Sequence, residues 1–447
     1  MTGSSFDQFS SPVVLVAPQA SASASAAHQH PTYDIYYADI APGTTVQTAD
    51  LAAQLTHVQG SMHVRGEATK SLAKKQYGVS LDTDPSPEHF LGMANGGKHW
   101  VFNDCGAVDF TLLRNVLAFS MQRSLGHYAP QHKFFELFIC EAGFEPSTID
   151  AAVLQAAYQG VYLNFDKIRF QPDRIEAPYD AKHPTVDYAI VQANQGNPEY
   201  LALEPRPPLT GNVEIYEPKL SDMSADLQAA FSAWYIDSTL TQGWAGQFAA
   251  LYSDYVAQQK PIPAASFAPL QTTTDYPSFA AYFVLNEIAK DPDGYHKSTF
   301  MVKRKGSCYA GPLWDKNKSY GNVASCSQYP QGYVKPDGWL FSIAGQAPCW
   351  WHVMIRDPAF QDEVRACWRA LVAMLAINPK QGDWIDALID DNVAYLQSTG
   401  ALARNAARWP AQHTGGSYAS QVAELKSYLA QRIAWIDANL ETMLASY

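Results

Sequence analysis

The sequence predicts an α+β fold in two lobes, a β-rich N-lobe followed by a helix-rich C-lobe. At 447 residues, the chain exceeds the length at which one hydrophobic core usually stops growing. Strand-like patterns dominate its first part and helical periodicity dominates from about residue 222, an order typical of α+β proteins. We expect a flexible leader over residues 1–30, the N-lobe over 31–177 and the C-lobe over 178–447.

Short runs of β-branched and aromatic residues between turn residues define the N-lobe. They predict strands at Tyr33–Tyr37, Gly60–Val64, Tyr77–Leu81, Phe134–Ile139 and Gly160–Phe165. Apolar residues at helical spacing predict one long helix over Asp109–Met121, with Asp109 as its N-cap. Residues 141–157 are interpreted as an inserted loop that contains a short helix.

The C-lobe starts after a segment rich in Pro, Asn and Gly, residues 178–218, interpreted as a connection with irregular strands. Helical periodicity predicts helices at 226–241, 242–258, 278–289, 360–376, 383–397 and 418–444, the last three forming a helical C-terminal tail. Between these helices, the β-rich segment Thr299–Lys305 lies between Asp293 and Asp315, which are 22 residues apart. This pattern predicts a hairpin with a carboxylate at each end.

Composition and charge exclude several classes of function. The net charge of −12 argues against general affinity for nucleic acid or anionic membranes, because phosphate groups attract clustered Lys and Arg. No apolar run approaches the roughly 20 residues that span a bilayer. Residues 1–30 lack the basic start and long apolar core of a signal peptide. We expect a soluble protein without a nucleic-acid partner or an integral membrane segment, and the cellular compartment stays open.

Common catalytic and metal motifs are absent from the sequence. It contains no HExxH, no GxSxG and no GxxxxGK[ST], which disfavours a zinc hydrolase, a serine hydrolase and a P-loop NTPase. The six cysteines form no CxxC pair. A disulfide between Cys326 and Cys349 and free buried thiols are both compatible with their positions.

Two acidic clusters carry the strongest chemical signal. The first, Asp291–Gly294, precedes the predicted hairpin, and the second, at Asp315, follows it. Kinase-like phosphotransferases join a catalytic loop to a metal-binding aspartate in this way. An Asp-Gly turn followed by a surface aspartate explains the same spacing.

Several blocks in one order make the chain resemble the spore-coat protein H (CotH) kinase family, in particular its larger bacterial branch with a helical tail. Examples are Val64-Arg-Gly-Glu-Ala-Thr-Lys70 and Trp314-Asp-Lys-Asn317. The other blocks lie at 74–77, 109–117, 158–168, 282–295 and 320–322, and tail blocks lie at 348–351, 356–358 and 407–410. The resemblance implies a divergent protein-kinase-like fold, the cofactors ATP and Mg²⁺ (Mn²⁺ is also compatible), and a protein substrate.

The resemblance implies that Asp293 is the catalytic-loop aspartate, which orients the attacking group by accepting its hydrogen bond. Lys297 in the same loop is a candidate phosphate contact. Asp291 stands where the family usually carries Asn, so it adds a carboxylate whose role stays open.

The implied metal ligands are Asp315, Asn317 and Ser298. Asp315 supplies the carboxylate that the hard Mg²⁺ ion prefers. Asn317 stands where many relatives carry a second Asp, and Ser298 stands where relatives often carry Asn. Both residues keep an oxygen atom that can bind the ion. The amide of Asn317 lowers the negative charge of the site, and the hydroxyl of Ser298 weakens metal binding without excluding it.

The implied nucleotide contacts lie in the N-lobe. Gly66, next to Arg65, lets the backbone approach phosphates because glycine has no side chain, although an ordinary turn has the same pattern. One lysine of Lys74 and Lys75 would pair with the α- and β-phosphates. Asp166 occupies a position usually held by Glu, and a surface aspartate paired with Lys167 or Arg169 is the alternative.

The predicted function is that of an ATP- and Mg²⁺-dependent transferase that modifies a protein, with phosphoryl transfer to Ser/Thr as the default. Nucleotidyl transfer and ATP-driven (poly)glutamylation use the same nucleotide site differently, because one fold hosts several chemistries. A pseudokinase scaffold or adhesion module is the non-enzymatic alternative. The sequence leaves the substrate and the oligomeric state open.

Overall fold

The computed structural model describes residues 5–19, 31–66, 68–104, 108–194, 196–203, 212–236, 243–322, 331–376, 384–412 and 416–447. Its mixture of helices and strands confirms the predicted α+β class. The chain divides into two compact units. The first unit contains residues 1–113, 130–174 and 385–422, and the second contains 114–129, 175–384 and 423–447.

The first unit is built on a closed β-barrel. The strands of this unit are β1 (Gln8–Phe9), β2 (Val13–Pro18), β3 (Thr32–Ala38), β4 (Val46–Gln47), β5 (Thr56–Arg65), β6 (Gln76–Leu81), β7 (His99–Asn103), β8 (His132–Ile139) and β9 (Tyr158–Asp166). The barrel strands follow the order β2-β3-β5-β6-β7-β9-β8, and β2 closes the barrel by pairing in parallel with β8. All five predicted N-lobe strands are confirmed, with longer bounds.

Strand β2 shows how alternation builds the hydrophobic core of the first unit. Val14 and Val16 belong to one buried cluster, with Trp100, Phe102 and Tyr162. Val13 and Leu15 point the other way and belong to a second cluster with Phe9 and Phe138. Because successive side chains of a strand face opposite sides, an uninterrupted apolar run is needed where both faces are buried.

This strand corrects the predicted leader. Residues 5–19 are not a flexible leader, because Val13–Pro18 forms a buried barrel strand that pairs with both β3 and β8. The run Val13–Val16 is too short for a signal peptide, but its length suits a strand buried on both faces. The remainder of the predicted leader, residues 1–4 and 20–30, lies outside the described residues.

The second unit contains an antiparallel sheet of five strands, β10 (Tyr188–Asn194), β11 (Leu201–Leu203), β12 (Asn212–Glu217), β13 (Thr299–Arg304) and β14 (Ser307–Ala310). Their order in the sheet is β11-β12-β10-β13-β14. β13 and β14 form the predicted hairpin. Residues 178–218, interpreted as a connection with irregular strands, do contain strands, and they belong to this sheet: β10 lies at its centre and pairs with β12 and β13.

Most helices of the C-terminal half lie where the sequence predicts them. The helices are α1 (Thr48–Leu51), α2 (Arg114–Ser124), α3 (Ala151–Ala157), α4 (Ala225–Tyr235), α5 (Trp244–Leu251), α6 (Ala268–Thr273), α7 (Tyr276–Ala289), α8 (Cys349–Met354), α9 (Pro358–Ala376), α10 (Trp384–Ser398), α11 (Ala401–Arg408) and α12 (Tyr418–Ala445). None of the helices in the described ranges combines the length and apolar character needed to cross a membrane.

Helix α2 starts later than predicted. Asp109 is not its N-cap, because its carboxylate accepts hydrogen bonds from the backbone N and the hydroxyl of Thr111 and closes a turn instead. Leu112 then adopts a positive φ of 68°, which interrupts the chain before the helix begins at Arg114. Asp side chains often stabilise such local turns in place of a helix start.

The two units differ from the predicted lobes at two segments. Residues 114–129 belong to the second unit, where the Nε of Arg114 donates to the backbone O of Ser319 (2.9 Å). Residues 385–422 belong to the first unit, where Arg404 forms two hydrogen bonds with the carboxylate of Glu136 (2.7 and 2.6 Å). Both segments therefore contact residues of their own unit that are distant in the sequence. Helical periodicity carries no information about such contacts.

The structure bears on part of the disulfide hypothesis. Within the described residues, the thiols of Cys140, Cys308, Cys349 and Cys367 are free. Cys326, the predicted partner of Cys349, lies outside the described residues.

Candidate active site

The first candidate loop, Asp291–Ser298, begins where α7 ends in the second unit. The helix stops at Lys290, which adopts the left-handed conformation (φ 48°). The side chain of Asp291 then accepts a hydrogen bond from the backbone N of Asp293 (3.0 Å). This local turn fixes the backbone next to the Asp293 carboxylate, as Asp-initiated turns do.

Two charge pairs hold this loop against the second candidate loop, Asp315–Ser319. Lys316 Nζ lies 3.1 Å from Asp291 Oδ2, and both side chains are 1% exposed. Lys318 Nζ lies 3.4 Å from Asp293 Oδ2, and these side chains are 26% and 19% exposed. The two acidic clusters are therefore in contact, each aspartate of the first loop with a lysine of the second.

Asp291 and Lys316 shift each other's pKa across this buried contact. Burial, the largest single effect, lowers the pKa of Lys316, but the charge and hydrogen bond of Asp291 together with the charges of Tyr282 and Asp293 outweigh it and raise the pKa. Burial also raises the pKa of Asp291, and the charge of Lys316 opposes that shift. Lys316 Nζ additionally donates to Asn286 Oδ1 (3.0 Å), which gives the buried ammonium a second acceptor.

The carboxylate of Asp293 is partly open to solvent and lies between two lysines. Besides Lys318, Lys297 Nζ lies 3.8 Å from Asp293 Oδ1. The predicted catalytic aspartate and the predicted phosphate-binding lysine are thus neighbours. A partly exposed carboxylate flanked by cations has the accessibility that a group contacting a substrate hydroxyl needs.

The candidate metal ligands differ in solvent exposure and in their hydrogen bonds. Asp315 is exposed and adopts a left-handed conformation (φ 56°) at the start of a 3₁₀ turn. Asn317 is buried, donates from Nδ2 to Asp315 Oδ1 (3.2 Å) and accepts from Asn115 Nδ2 (2.8 Å) through Oδ1. Ser298 is half-buried with a positive φ of 48°. The amide oxygen of Asn317 therefore accepts a hydrogen bond from the protein, and the exposed carboxylate is that of Asp315.

Asn115 on α2 was missed in the sequence interpretation. Its Oδ1 accepts a hydrogen bond from Lys316 N (2.7 Å) while its Nδ2 contacts Asn317, so one buried side chain holds two points of the second loop. The neighbouring Arg114 binds the backbone of the same loop. Arg114 and Asn115, two adjacent polar residues in the middle of the predicted helix Asp109–Met121, were the signal that could have revealed them.

The donor set around Asp315 suits Mg²⁺ that arrives with a nucleotide. Mg²⁺ is usually held by one or two carboxylates together with phosphate oxygens and water, and an exposed carboxylate meets that need. Across the described part of the chain, no group of three or more His, Cys, Asp or Glu side chains forms a protein-only metal site. The exposed carboxylate of Asp315 by itself fits a cation that takes its other ligands from phosphate and water.

In the first unit, Lys74 is fully buried in a polar network, although it lies two residues before the start of β6. Its Nζ lies 3.0 Å from Asp104 Oδ1 and donates to the backbone O of Val161 (2.6 Å) and to Asn405 Oδ1 (3.1 Å). It also lies 4.5 Å from the centre of the Tyr162 ring. These acceptors match the three protons of an ammonium group. Lys74 is thus the inward-pointing member of the lysine pair.

The other N-lobe candidates lie at the end of β5 and in the turn after it. Lys75 is less buried than Lys74 and donates to the backbone O of Lys70 (2.7 Å). Arg65 is the last residue of β5. Gly66 has a φ of 94°, and a Cβ added there would lie 2.0 Å from Thr69 Oγ1. The glycine is required by this tight turn, whichever ligand approaches it.

Asp166 is a buried residue, so the surface alternative for it is wrong. Its Oδ2 accepts from Asn95 Nδ2 (2.7 Å) and from Gln131 N (3.2 Å). Its Oδ1 lies 3.9 Å from Arg174 Nε, and neither side chain is exposed. Arg174, which the sequence interpretation also missed, packs its guanidinium 4.7 Å from the centre of the Trp100 ring.

His99, next to this cluster, makes stability dependent on pH. Burial first, and then the positive charges of Arg169, Lys167 and Arg174, lower the pKa of His99 to about 3. A group whose pKa is depressed in the folded state contributes stability above its unfolded pKa of about 6.5 and loses it as the pH falls. We therefore expect stability to decrease between pH 6.5 and about 3, by up to ~1.4 kcal/mol per pH unit for this one proton.

Unfolding midpoints measured between pH 4 and 7 test this expectation through the His99→Gln variant, whose midpoint should fall less steeply than that of the wild type. His183, whose side chain is 83% exposed, provides the control variant His183→Gln. Equal slopes for the wild type and His99→Gln would contradict it.

A cavity of about 280 Å³ in the second unit lies away from both candidate loops. Gln122, His127, Asp275, Arg304 and Tyr309 are among its lining residues, and no residue of 291–298 or 315–319 lines it. The cavity therefore adds nothing to the candidate site.

The sequence profile of the family described as CotH kinase protein matches residues 62–436. The matched range includes both candidate loops and every candidate site residue named above. No curated protein matches the chain in sequence. Since the profile covers nearly the whole chain, the protein belongs to the CotH kinase family and is a kinase-like transferase.

Proposed function

We propose that the protein is an ATP- and Mg²⁺-dependent transferase that phosphorylates Ser or Thr in a protein substrate. The observation that carries this proposal is the contact between the two acidic loops, through Asp291 with Lys316 and Asp293 with Lys318. Phosphoryl transfer depends on positioning and on neutralising phosphate charge. A partly exposed aspartate, an exposed aspartate and several lysines in contacting loops supply groups for both tasks.

Each loop has a separate role in the proposed reaction. Asp293 accepts the hydrogen bond of the attacking hydroxyl and orients it, and Lys297 contacts a phosphate oxygen. Asp315 binds Mg²⁺, which when bound neutralises charge on the phosphates. The neutral Asn317 and Ser298 would be weaker ligands, so a bound ion would take most of its other ligands from phosphate and water.

The N-lobe residues are proposed to contact the nucleotide. Arg65 and the backbone at Gly66 approach phosphates, and Lys74 supplies a positive charge, with Lys75 as the more accessible alternative. Because the ammonium of Lys74 already has three acceptors, a phosphate oxygen has to replace one of them. Asp166 is the weakest member of this set, because its carboxylate already accepts hydrogen bonds from Asn95 and Gln131.

Nucleotide binding is tested first by thermal unfolding with and without Mg-ATP. A ligand that binds only the folded state stabilises it by about 2.7 kcal/mol at 100 times its Kd. We expect the melting temperature to rise with Mg-ATP, and to rise less for Asp315→Asn. An unchanged melting temperature at millimolar Mg-ATP favours the scaffold alternative and contradicts the proposal.

The reaction type is tested by incubating the protein and candidate acceptors with ATP labelled at the γ- or the α-phosphate. Label transfer from the γ position only, together with the mass increase of a phosphate, supports phosphorylation. Transfer from the α position indicates nucleotidyl transfer, and the mass increase of glutamate indicates glutamylation. Transfer that persists in both Asp293→Ala and Asp315→Ala contradicts the assigned residues.

A further inference from the structure

Glu287, on the last turns of α7, is a buried carboxylate with an unusually complete set of donors. It is 1% exposed and accepts hydrogen bonds from Leu340 N (2.7 Å) and Phe341 N (2.9 Å). It also accepts from the hydroxyl of Tyr295 (2.9 Å) and the guanidinium of Arg432 (3.2 Å). Four donors hold the carboxylate in one orientation, and they oppose the burial that raises the pKa of Glu287.

Arg432 connects the C-terminal helix α12 to the end of α7. Its Nε donates to the backbone O of Glu287 (2.7 Å), in addition to the contact with the carboxylate. Its Nη1 donates to the backbone O of Pro336 (2.8 Å) and of Gly338 (2.7 Å). The side chain has no solvent exposure, so the planar guanidinium fixes α7 and the segment around residue 338 with little freedom.

Tyr295 connects Glu287 to the first candidate loop. It lies two residues after Asp293 and is completely buried, with its ring 5.1 Å from that of Trp351. Its hydroxyl donates to Glu287. The ring and the hydroxyl together hold the loop at a point next to the candidate catalytic aspartate.

We propose that Glu287 is a positioning residue for the loop Asp291–Ser298, held by Arg432 of the C-terminal helix and joined to the loop by Tyr295. The inference rests on the proposed function for its catalytic consequence, since Asp293 is the group being positioned. Small displacements of a reacting group reduce rate strongly even when the mutated residue is remote. The C-terminal helix is therefore part of the machinery that supports the reaction.

The conservative variant Tyr295→Phe tests the link because it removes one hydroxyl and keeps the ring. Tyr276→Phe, on the helix α7 that carries Glu287, is a matched control. Its hydroxyl donates to Asp357 Oδ2 (2.8 Å), a comparable buried tyrosine–carboxylate bond, and Asp357 keeps a hydrogen bond from Gln271 Nε2 (2.9 Å). Glu287→Ala is less informative, because a loss of folding would hide its effect.

Hydrogen exchange of the backbone amides in residues 291–298 tests whether the loop is held in place, and it needs no activity measurement. Local opening increases exchange, so we expect faster exchange there in Tyr295→Phe than in the wild type and in Tyr276→Phe. Unchanged exchange in Tyr295→Phe overturns the inference, whether or not the proposed function holds.

Kinetics test the catalytic consequence. We expect kcat to fall roughly tenfold in Tyr295→Phe, with an unchanged KM for ATP and near wild-type kcat in Tyr276→Phe. Equal decreases in both variants indicate a general structural effect and overturn the inference. A normal kcat in Asp293→Asn instead contradicts the proposed function, and the exchange measurement then still decides whether Tyr295 positions the loop.

Discussion

Replacing Lys316 with methionine should lower the free energy of unfolding by about 3–5 kcal/mol, because it leaves the buried carboxylate of Asp291 without its cation. The two side chains are each 1% exposed and lie 3.1 Å apart. Chemical denaturation at pH 7 measures the loss. The deficit should shrink as the pH falls, since protonation of the buried Asp291 removes the uncompensated charge.

Lys318 in the same turn is the matched control for Lys316. Its contact with Asp293 is longer, at 3.4 Å, and both partners are partly exposed, so Lys318→Met should cost only about 0–1 kcal/mol. Adding Asp291→Leu to Lys316→Met should recover much of the stability, because an apolar pair often replaces a buried ion pair without loss. Equal costs for Lys316→Met and Lys318→Met would contradict the assignment of the buried pair.

The Asp293→Asn variant should lower kcat by roughly 10²- to 10⁴-fold, the range typical of a positioned catalytic carboxylate. The amide keeps the size of the side chain but loses the charge that orients an attacking hydroxyl. The KM for ATP should change little, since Asp293 is proposed to contact the acceptor and not the nucleotide. Steady-state kinetics with ATP and an acceptor protein measure both constants.

Asp254 provides the control for Asp293 because it is exposed in the second unit and lies in neither candidate loop. Asp254→Asn should retain wild-type kcat. If Asp293→Asn also retains it, while the melting temperatures of all three proteins agree, Asp293 is not the catalytic aspartate. A raised KM for ATP with a normal kcat would place Asp293 among the nucleotide contacts instead.

Local sequence patterns were sufficient to predict many elements of the fold. The hairpin β13–β14 and helix α7 lie where alternation and helical spacing predict them. The start of α2 was misplaced because side-chain hydrogen bonds close a turn at Asp109 and Leu112 then adopts a positive φ, and periodicity reports neither feature. Strand β2 was misread because a six-residue apolar run is too short to be identified from the sequence alone as a strand. Its pairing with β3 and β8 identifies it, and that pairing exists only in the folded chain.

The candidate site was predictable only as two separate acidic loops. Their residue types and their spacing on either side of a hairpin are visible in the sequence. Which lysine pairs with which aspartate is not visible, because Asp291 selects Lys316 and Asp293 selects Lys318 only after the loops have packed together. Asn115, 201 residues from the Lys316 backbone that it binds, was missed for the same reason.

Periodicity and turn chemistry act between neighbouring residues, so the linear sequence determined the α+β class, most strand and helix positions, and the two acidic loops of this kinase-like transferase. Burial and pairing act between segments that are distant in the chain, and they emerge only in the folded molecule. Arg432 reaches Glu287 across 145 residues, and Arg404 reaches Glu136 across 268. Each of these charges is stable in the interior only because its partner is there, and folding brings the partners together.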